Sequence, residues 1–350
     1  MKKDAPKVET KPAVLREAMM RRVNRRLVAS GSMLLPCAPG LLDAYADILS
    51  QQFRSVGRPF STDEVAHLRK LLAGKLEEAY AASPFSRIQI AWNTDTPPAV
   101  TLSYTISIVP SSMEAEYEEW TRSRPPPLFG KHPDAKVLDV ARSLGAPGEV
   151  AVLDVGAGTG RNTLPLARLG HTAAAVEASP ALVTLLRQAI ADESLPIEVF
   201  AGNVLDHGLA IPKGGYRLVI LCEVLSHFRE LTDVRLLFRR LGELLAPGGV
   251  LLFSAFVSND AYTPEKLARE LSQVFWSTVF TRRELAEAML ELPFEKVSDE
   301  SVYAYEKEHL PSDAWPPTGW FAEWTRGEDV FAVPEGKSPM DLRWLAYRRV

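Results

Sequence analysis

The sequence has 350 residues, of which 46% are hydrophobic, with two cysteines and a formal net charge of −4. A chain of this length can hold one core domain and an appendage, and no apolar stretch approaches the length of a membrane span. Cys37 and Cys222 lie in different segments, so we expect no disulfide and a cytoplasmic location. The start lacks the continuous apolar region of a signal peptide.

The first 30 residues are basic, with nine Lys or Arg and three acidic residues. Apolar residues recur at every fourth position there, namely Leu15, Met19, Val23 and Leu27. This spacing predicts an amphipathic helix, which we expect to pack on the body with its basic face in water. The alternatives are a mobile arm and a contact with nucleic acid or a membrane surface. No aromatic residue interleaves with the arginines, which disfavours nucleic acid.

Residues 31–130 have the pattern of an α+β appendage. Helices are predicted near residues 40–56 and 62–82. Two alternating strands then form a hairpin whose turn contains Pro97 and Pro98 and whose second strand begins at Val100. A lone hairpin is not stable, so it must pack on other elements. We interpret this segment as a cap on the core domain or as a dimerisation element.

The stretch Arg124–Gly130 contains three consecutive prolines and is predicted to be a stiff linker. It follows a short helix that begins near Ser111, where Ser111 and Glu114 have the spacing of a capping box. The linker predicts a domain boundary, with the appendage at residues 1–130 and the main domain at residues 131–350.

Residues 150–160, Val-Ala-Val-Leu-Asp-Val-Gly-Ala-Gly-Thr-Gly, are the most informative segment. A buried strand enters a tight turn that opens a helix. Glycines at 156, 158 and 160 remove Cβ where a ligand must lie against the backbone. The helix that follows directs free N–H groups at the turn. We therefore expect a nucleotide-like ligand there.

The segments that follow agree with a doubly wound α/β fold. A second strand ends at Glu177, whose carboxylate can accept hydrogen bonds from both hydroxyls of a ribose. A third strand covers residues 197–201 and is followed by Asn203. A fourth strand covers residues 216–222, and Ala246-Pro247-Gly248-Gly249 introduces a fifth.

The glycines do not have the dinucleotide spacing Gly-x-Gly-x-x-Gly, because Arg161 occupies the third glycine's place. They resemble motif I of the class I S-adenosylmethionine (SAM)-dependent methyltransferases, Asp-x-Gly-x-Gly-x-Gly, and the Pro-Gly-Gly turn is a second mark of that family. The resemblance covers roughly residues 134–258. Within the family, Gly160-Arg161-Asn162-Thr163 and the residues after it resemble tellurite-detoxifying and related small-molecule methyltransferases. An NAD(P)-dependent enzyme is the alternative.

The resemblance implies a Rossmann-like fold with a seven-stranded mixed sheet, to which the flanking segments add an N-terminal α+β cap and an aromatic-rich insertion before the last strand. It also implies a set of donor-binding residues around the glycine loop and the strand ends: Asp154, Gly156, Ala157, Gly158, Gly160, Asn162, Glu177, Ala178, Asn203, Val204 and Cys222. Asn203 departs from the acid that usually meets the adenine amine, although its amide oxygen can accept the same hydrogen bond.

An insertion of about residues 307–340 separates two strands predicted at residues 294–306 and 342–348. It contains three of the seven tryptophans and is too proline-rich for regular structure. Long ordered loops are commonly lids or binding loops, and a loop whose tryptophans simply pack is the alternative. The candidate acceptor-contacting residues are Trp276, Tyr303, Trp315, Trp320 and Trp324.

The resemblance places the acceptor past the residues that follow strand four. There His227 is the candidate base, because a neutral imidazole can take a proton at pH 7, and a structural histidine is the alternative. Glu223 is a second catalytic candidate, for contact with the acceptor or the donor's amino group. Residues 221–224 lack the Asp/Asn-Pro-Pro-Tyr of enzymes that methylate nucleic-acid amines, and no Cys/His spacing predicts a metal site.

We therefore expect a SAM-dependent methyltransferase that acts on a small organic acceptor, with specialised metabolism as its expected setting. A peptide or protein methyltransferase and a non-catalytic SAM-binding protein are the alternatives. We expect no nucleic-acid or membrane partner and a monomer or homodimer.

Overall fold

A computed structural model describes residues 8–95 and 101–350. The chain divides into two compact units, Met1–Ser111 and Ser112–Val350. This division comes earlier than the boundary expected at residue 130, so the proline-rich stretch Arg124–Gly130 lies inside the second unit.

The first unit contains three helices and a three-stranded sheet. Its elements are α1 (Pro12–Asn24), β1 (Ser30–Pro36), α2 (Leu42–Ser55), α3 (Thr62–Ala82), β2 (Arg87–Thr94) and β3 (Leu102–Val109). The sheet order is β1-β2-β3, and both pairings are antiparallel. The predicted hairpin and the helices α2 and α3 are confirmed, whereas β1 was not expected. Pro97, Pro98 and Val100 of the predicted hairpin lie outside the described residues.

The core of the first unit lies between the apolar face of β2, formed by every second residue of that strand, and the apolar faces of α2 and α3. Ile88 and Ile90 are fully buried there against Leu49 and Leu72. The apolar stripe of α1 behaves differently, because no residue of that helix is buried. The expectation that α1 packs through this stripe was therefore wrong.

The second unit alternates strands and helices. Up to the fourth strand of its sheet it contains α4 (Met113–Ser123), α5 (Ala135–Ser143), β4 (Val152–Val155), α6 (Thr163–Arg168), β5 (Ala173–Glu177), α7 (Pro180–Glu193), β6 (Glu198–Ala201) and β7 (Tyr216–Leu221). It continues with α8 (Leu231–Leu244), β8 (Leu245–Ser258), α9 (Lys266–Val274), β9 (Val279–Phe280), α10 (Arg282–Met289), β10 (Phe294–Ser301), α11 (Val302–His309), α12 (Phe321–Thr325) and β11 (Met340–Arg349).

The sheet of the second unit has the order β10-β11-β8-β7-β4-β5-β6, and the two-residue strand β9 also pairs with β8. Strands β4 to β8 are parallel, and β11 is antiparallel to both β8 and β10. The predicted mixed α/β sheet is confirmed. Seven strands form its continuous path, and β9 is an eighth strand that the sequence did not predict.

The central parallel strands β4 and β5 are buried on both faces, which explains their continuous apolar runs. All four residues of β4 are buried, and so are all five of β5. Strand β4 lies between β5 and β7, so the order in which successive strands are added to the parallel sheet reverses there. In open α/β sheets, ligands bind at the carboxyl ends of the strands at such a switch point.

The predicted strand at residues 294–306 ends at Ser301, and α11 follows directly. Val302 and Glu306 are buried while Ala304, which an alternating strand would place on the same face, is exposed, so the burial pattern is that of a helix. The Glu306 carboxylate accepts hydrogen bonds from the backbone N–H groups of Ala135 and Lys136 and from Trp344 Nε1. Helix α11 therefore begins early because its buried acid caps the first turn of α5.

The predicted insertion contains the last residues of α11 and the short helix α12, so it is more regular than its proline content suggested. Among the described residues, no helix has both the length and the apolar character that crossing a membrane requires.

Candidate active site

The glycine loop lies between β4 and α6, at the carboxyl edge of the sheet. Gly156 has φ +75° and Gly158 has φ +57°, a backbone region that other residues rarely adopt. A Cβ on Gly156 would overlap the Val224 side chain, and one on Gly158 would lie 3.2 Å from the Phe129 ring. Both positions therefore require glycine for backbone conformation and for close packing.

Glu177 ends β5 and fixes the glycine loop. Its Oε2 accepts a hydrogen bond from the Gly158 N–H, and its Oε1 accepts one from the Ser179 N–H, both at 2.8 Å. Burial raises the pKa of this carboxyl, and the backbone donors partly offset that rise. Each carboxylate oxygen has a further lone pair, so Glu177 can still accept hydrogen bonds from a ligand.

A pocket of about 170 Å³ lies over the loop and the ends of β4, β5 and β7. Ten of the eleven predicted donor-binding residues line it: Asp154, Gly156, Ala157, Gly158, Asn162, Glu177, Ala178, Asn203, Val204 and Cys222. We call this the donor pocket. Gly160 does not line it, because a Cβ there would lie 2.8 Å from Leu186 and 2.9 Å from Leu164. This glycine instead allows close packing between α6 and α7.

Asn203 follows β6, where the structure shows a side chain already engaged. Its Oδ1 accepts a hydrogen bond of 2.9 Å from the Leu205 N–H, so it stabilises its own turn. The amide oxygen retains a second lone pair. If Asn203 accepts a hydrogen bond from the adenine amine, its Oδ1 accepts that bond in addition to the one from the Leu205 N–H.

A buried charge network lies at the other end of the donor pocket, and the sequence did not predict it. The Arg161 guanidinium forms ion pairs with Asp134 and Glu223, the latter at 2.9 Å. Asn162 Nδ2 donates to Asp134 Oδ2 at 2.9 Å and to Cys222 Sγ at 3.3 Å. The network holds Glu223, which has φ +65°, at the end of β7.

Burial raises two carboxyl pKa values in this region. The pKa of Asp154 is raised to about 7, although the Thr163 hydroxyl donates to its Oδ2 at 2.6 Å. The pKa of Glu223 is raised to about 6 by burial, against the lowering effect of Arg161. Three carboxyl groups, those of Asp154, Glu177 and Glu223, line the donor pocket together with one guanidinium, that of Arg161. The pKa values of Asp154 and Glu223 lie near neutral pH.

A second pocket of about 290 Å³ is lined mostly by aromatic rings, and we call it the aromatic pocket. Of the predicted acceptor residues, Trp276, Trp320 and Trp324 line it. The Trp120 and Trp276 rings stack with centroids 5.1 Å apart, and the Trp320 and Trp324 rings meet edge to face at 5.4 Å.

The other two predicted acceptor residues, Tyr303 and Trp315, are described in the structure and line neither the donor pocket nor the aromatic pocket. Their rings pack against each other with centroids 5.3 Å apart. Trp315 also contacts Phe321 at 5.9 Å. The structure therefore places this pair in the packing between α11 and α12.

Four residues line both pockets: Tyr117, Phe129, Glu223 and His227. His227 Nε2 lies 3.0 Å from the Tyr117 hydroxyl, and burial lowers the pKa of this imidazole to about 4. Both predicted catalytic residues therefore lie where the pockets meet. No sequence pattern pointed to Tyr117, which reaches this place from α4.

A family model described as a methyltransferase domain matches residues 118–299, which is more than half of the chain. The chain belongs to this family. Its glycine loop and its sheet order are those of a class I SAM-dependent methyltransferase domain, whose cofactor is SAM.

Curated relatives agree with this assignment over part of their length. The ubiquinone biosynthesis O-methyltransferase of Xanthomonas campestris pv. campestris (strain B100) is 32% identical over 128 residues, which are 37% of this chain and 51% of that protein. A methyltransferase-named protein of Geobacillus sp. (strain WCH70) is 28% identical over 140 residues, 40% of this chain and 52% of that protein. The chain thus spans about half the length of these relatives.

The fold is also that of a solved structure, the geranyl diphosphate C-methyltransferase from Streptomyces coelicolor A3(2) in complex with Mg²⁺, geranyl-S-thiolodiphosphate and S-adenosyl-L-homocysteine. The TM-score is 0.50 at 16% identity, and the match covers 69% of this chain and 100% of that chain.

The residues of the donor pocket fit SAM. The loop at Gly156 and Gly158 leaves no Cβ between backbone and ligand, and Glu177 is a buried acceptor at the end of β5. SAM carries a positively charged sulfur, and the carboxylates Asp154, Glu177 and Glu223 line the same pocket. No part of this donor set requires another cofactor.

Proposed function

We propose that the protein transfers the methyl group of SAM to a small organic acceptor that is held in the aromatic pocket. The observation that carries this proposal is the junction of the two pockets at Tyr117, Phe129, Glu223 and His227. A methyl group directed from the donor pocket toward that junction meets a molecule in the aromatic pocket without crossing solvent. Methyl transfer depends mainly on such positioning and on the exclusion of water.

Within the donor pocket, we assign the ribose hydroxyls to Glu177 and the adenine amine to Asn203. The backbone of Gly156, Ala157 and Gly158 lies against the donor. SAM supplies an electrophilic methyl group on a sulfonium. The surplus of carboxylates favours this cationic donor electrostatically.

We assign His227 as the base that takes the proton a protic substrate must lose; because burial lowers its pKa to about 4, the imidazole holds this proton only during methyl transfer and then releases it to water. Glu223 contacts either the acceptor or the amino group of the donor, since it lines both pockets. Its ion pair with Arg161 fixes the carboxylate in place.

The aromatic pocket favours an acceptor with a flat apolar surface, because rings offer large contact area at low entropic cost. The curated relatives that are named O-methyltransferases support oxygen as the target atom. A metabolite from specialised metabolism fits this description, and a peptide side chain is the alternative. We further propose a cytoplasmic enzyme, monomeric or homodimeric, in which the first unit, up to residue 111, acts as a cap or as a dimerisation element.

The proposal is tested in two steps with the full chain. Calorimetry compares SAM, S-adenosylhomocysteine and NAD, and only the first two are expected to bind. Formation of S-adenosylhomocysteine is then measured with a panel of phenols, carboxylic acids, amines, short peptides and tellurite. Turnover of phenols or other small organic acceptors supports the proposal. SAM binding without turnover of any acceptor would favour a non-catalytic SAM-binding protein, and turnover of peptides alone would favour the alternative acceptor.

A further inference from the structure

The imidazole of His227 has no nitrogen that is free to meet an acceptor directly. Its Nε2 lies 3.0 Å from the Tyr117 hydroxyl. Its Nδ1 is buried and has no hydrogen-bond partner among the described residues. A proton from the aromatic pocket can therefore reach this imidazole only by way of the Tyr117 oxygen, as long as the contact at Nε2 persists.

The Tyr117 side chain is held firmly in this position. Its ring meets four others edge to face: Trp120 at 5.5 Å, Phe129 at 6.2 Å, His227 at 5.9 Å and Trp276 at 5.4 Å between centroids. Such contacts restrict the rotation of the ring, and Tyr117 also lines both pockets. Its hydroxyl is therefore presented at the junction, with the imidazole on one side.

We propose that Tyr117 is a catalytic residue that relays a proton from the acceptor to His227, and that the acceptor is protic, with a hydroxyl group as the methylated function. This inference rests on the proposed function, because it assigns the acceptor to the aromatic pocket.

The step balances as follows. The acceptor oxygen forms a bond to the methyl carbon while the carbon–sulfur bond breaks, and that electron pair stays on sulfur. The acceptor's proton passes to Tyr117 Oη, and the original Tyr117 proton passes to His227 Nε2. The sulfonium loses its charge as the imidazole gains one, so the net charge of the site is unchanged.

The relay sets a condition on the acceptor. A nucleophile that arrives without a proton, such as a thiolate or the tellurite anion, gains nothing from Tyr117. A phenol or alcohol gains the most, because its oxygen becomes a good nucleophile only as the proton leaves. The relay therefore favours acceptors with a hydroxyl group. It disfavours tellurite, the anionic acceptor that the local resemblance to tellurite-detoxifying enzymes implies.

The relay also fixes the tautomer of His227, which can be measured without turnover. Tyr117 can donate to Nε2 only when the imidazole hydrogen is on Nδ1. Nitrogen-15 NMR of the histidine side chains is expected to show an unprotonated Nε2 for His227, and the signal should shift in the Tyr117→Phe variant. A protonated Nε2 in the wild type would overturn the relay even if the enzyme methylates hydroxyl groups.

The kinetic test compares Tyr117→Phe with Tyr305→Phe. Tyr305 also donates a hydroxyl hydrogen bond, of 2.8 Å to Asp139, but among the described residues it lines neither pocket. We use a nitrophenol that is ionised at the assay pH and a related phenol that is not. Tyr117→Phe is expected to lower kcat for the protonated phenol by about 100-fold or more and to leave kcat for the ionised one close to the wild type.

The remaining outcomes decide against the relay. An equal loss with both phenols would show that Tyr117 only shapes the pocket, and so would a loss in KM alone. A wild-type enzyme that methylates only thiolates or tellurite would also overturn it. If the wild type binds SAM but methylates nothing, the proposed function fails, and the NMR measurement still decides the state of the Tyr117–His227 pair.

Discussion

The backbone N–H of Gly158 donates a hydrogen bond of 2.8 Å to Oε2 of Glu177, which joins the glycine loop after β4 to the end of β5. The same carboxylate accepts from the Ser179 N–H, at the start of α7. Glu177 is therefore part of the loop's own structure before any ligand binds. Its removal changes the shape of the pocket as well as its hydrogen bonding.

Glu177→Ala is expected to lower the affinity for SAM by roughly 1.5–3 kcal/mol, or about 10- to 150-fold, because it removes a charged acceptor from buried hydroxyls. The variant should also melt at a lower temperature, since two backbone donors lose their partner. Calorimetry and thermal unfolding measure both effects. Glu193→Ala is the control, because Glu193 forms only a surface ion pair with Arg168. Unchanged SAM affinity in Glu177→Ala would remove the ribose assignment.

Gly158→Val is expected to abolish SAM binding while the protein remains folded. The new Cβ would lie 3.2 Å from the Phe129 ring, and the φ of +57° costs a branched residue about 1–2 kcal/mol. Gly215→Ala is the matched control, because a Cβ there meets no heavy atom within 4 Å. Thermal unfolding is measured with and without SAM. If SAM stabilises Gly158→Val as much as the wild type, the loop is not the donor site.

The sequence predicted the donor side of the site well because its signals are local. Each of the contacts around Gly158 and Glu177 comes from a strand end and the turn directly after it, and a turn of this kind has a recognisable residue pattern. The ion pair between Arg161 and Asp134 was missed: Arg161 directly follows the glycine loop, but its partner lies 27 positions earlier, outside any local pattern. Their ion pair depends on how α5 and the glycine loop pack together.

The acceptor side was predicted less well, for the same reason. Tyr117 and His227 are far apart in sequence, and no local pattern connects α4 with the residues after β7. Among the tryptophans, proximity in sequence was a poor guide. Trp320 and Trp324 line the aromatic pocket, whereas Trp315 packs against Tyr303. Tyr303 was predicted to lie on a strand, but it lies on α11, which begins at Val302, and its ring therefore has a different position from the one expected.

SAM affinity is expected to rise with pH. Burial raises the pKa of Asp154 to about 7 and that of Glu223 to about 6, and a cationic ligand in the same pocket favours their ionised forms. Binding should therefore release protons, and affinity should increase between about pH 5.5 and 7.5. The number of protons released on SAM binding is obtained by calorimetry in two buffers that differ in ionisation enthalpy, from the difference between the two observed binding enthalpies. S-adenosylhomocysteine, whose sulfur is uncharged, is the control and should release fewer.

The raised pKa values of Asp154 and Glu223 also predict how the stability of the ligand-free protein depends on pH. Their pKa values are higher in the folded state than in the unfolded chain, so the folded state binds more protons between about pH 4 and 7. The free energy of unfolding should therefore fall as pH rises through that window, and SAM should offset the fall. Proton uptake on SAM binding, or an affinity that decreases with pH, would contradict this account of the donor pocket.

The three tryptophans of the insertion are expected to differ when each is changed to alanine. Trp320 is only partly buried and lines the aromatic pocket, so Trp320→Ala should raise KM for the acceptor and leave SAM affinity unchanged. Trp324 also lines that pocket but is 6% exposed, and its ring meets Phe256 at 4.9 Å. Trp324→Ala should therefore cost about 3–5 kcal/mol of stability as well.

Trp315→Ala is the control for this series, because Trp315 packs in the same core cluster without lining the aromatic pocket. It should lower the unfolding midpoint and leave the kinetic constants of the folded enzyme unchanged. Unfolding midpoints and acceptor kinetics are measured on all three variants. If Trp320→Ala behaves like Trp315→Ala, with a loss of stability and normal kinetics, then the insertion only packs and the acceptor does not contact it.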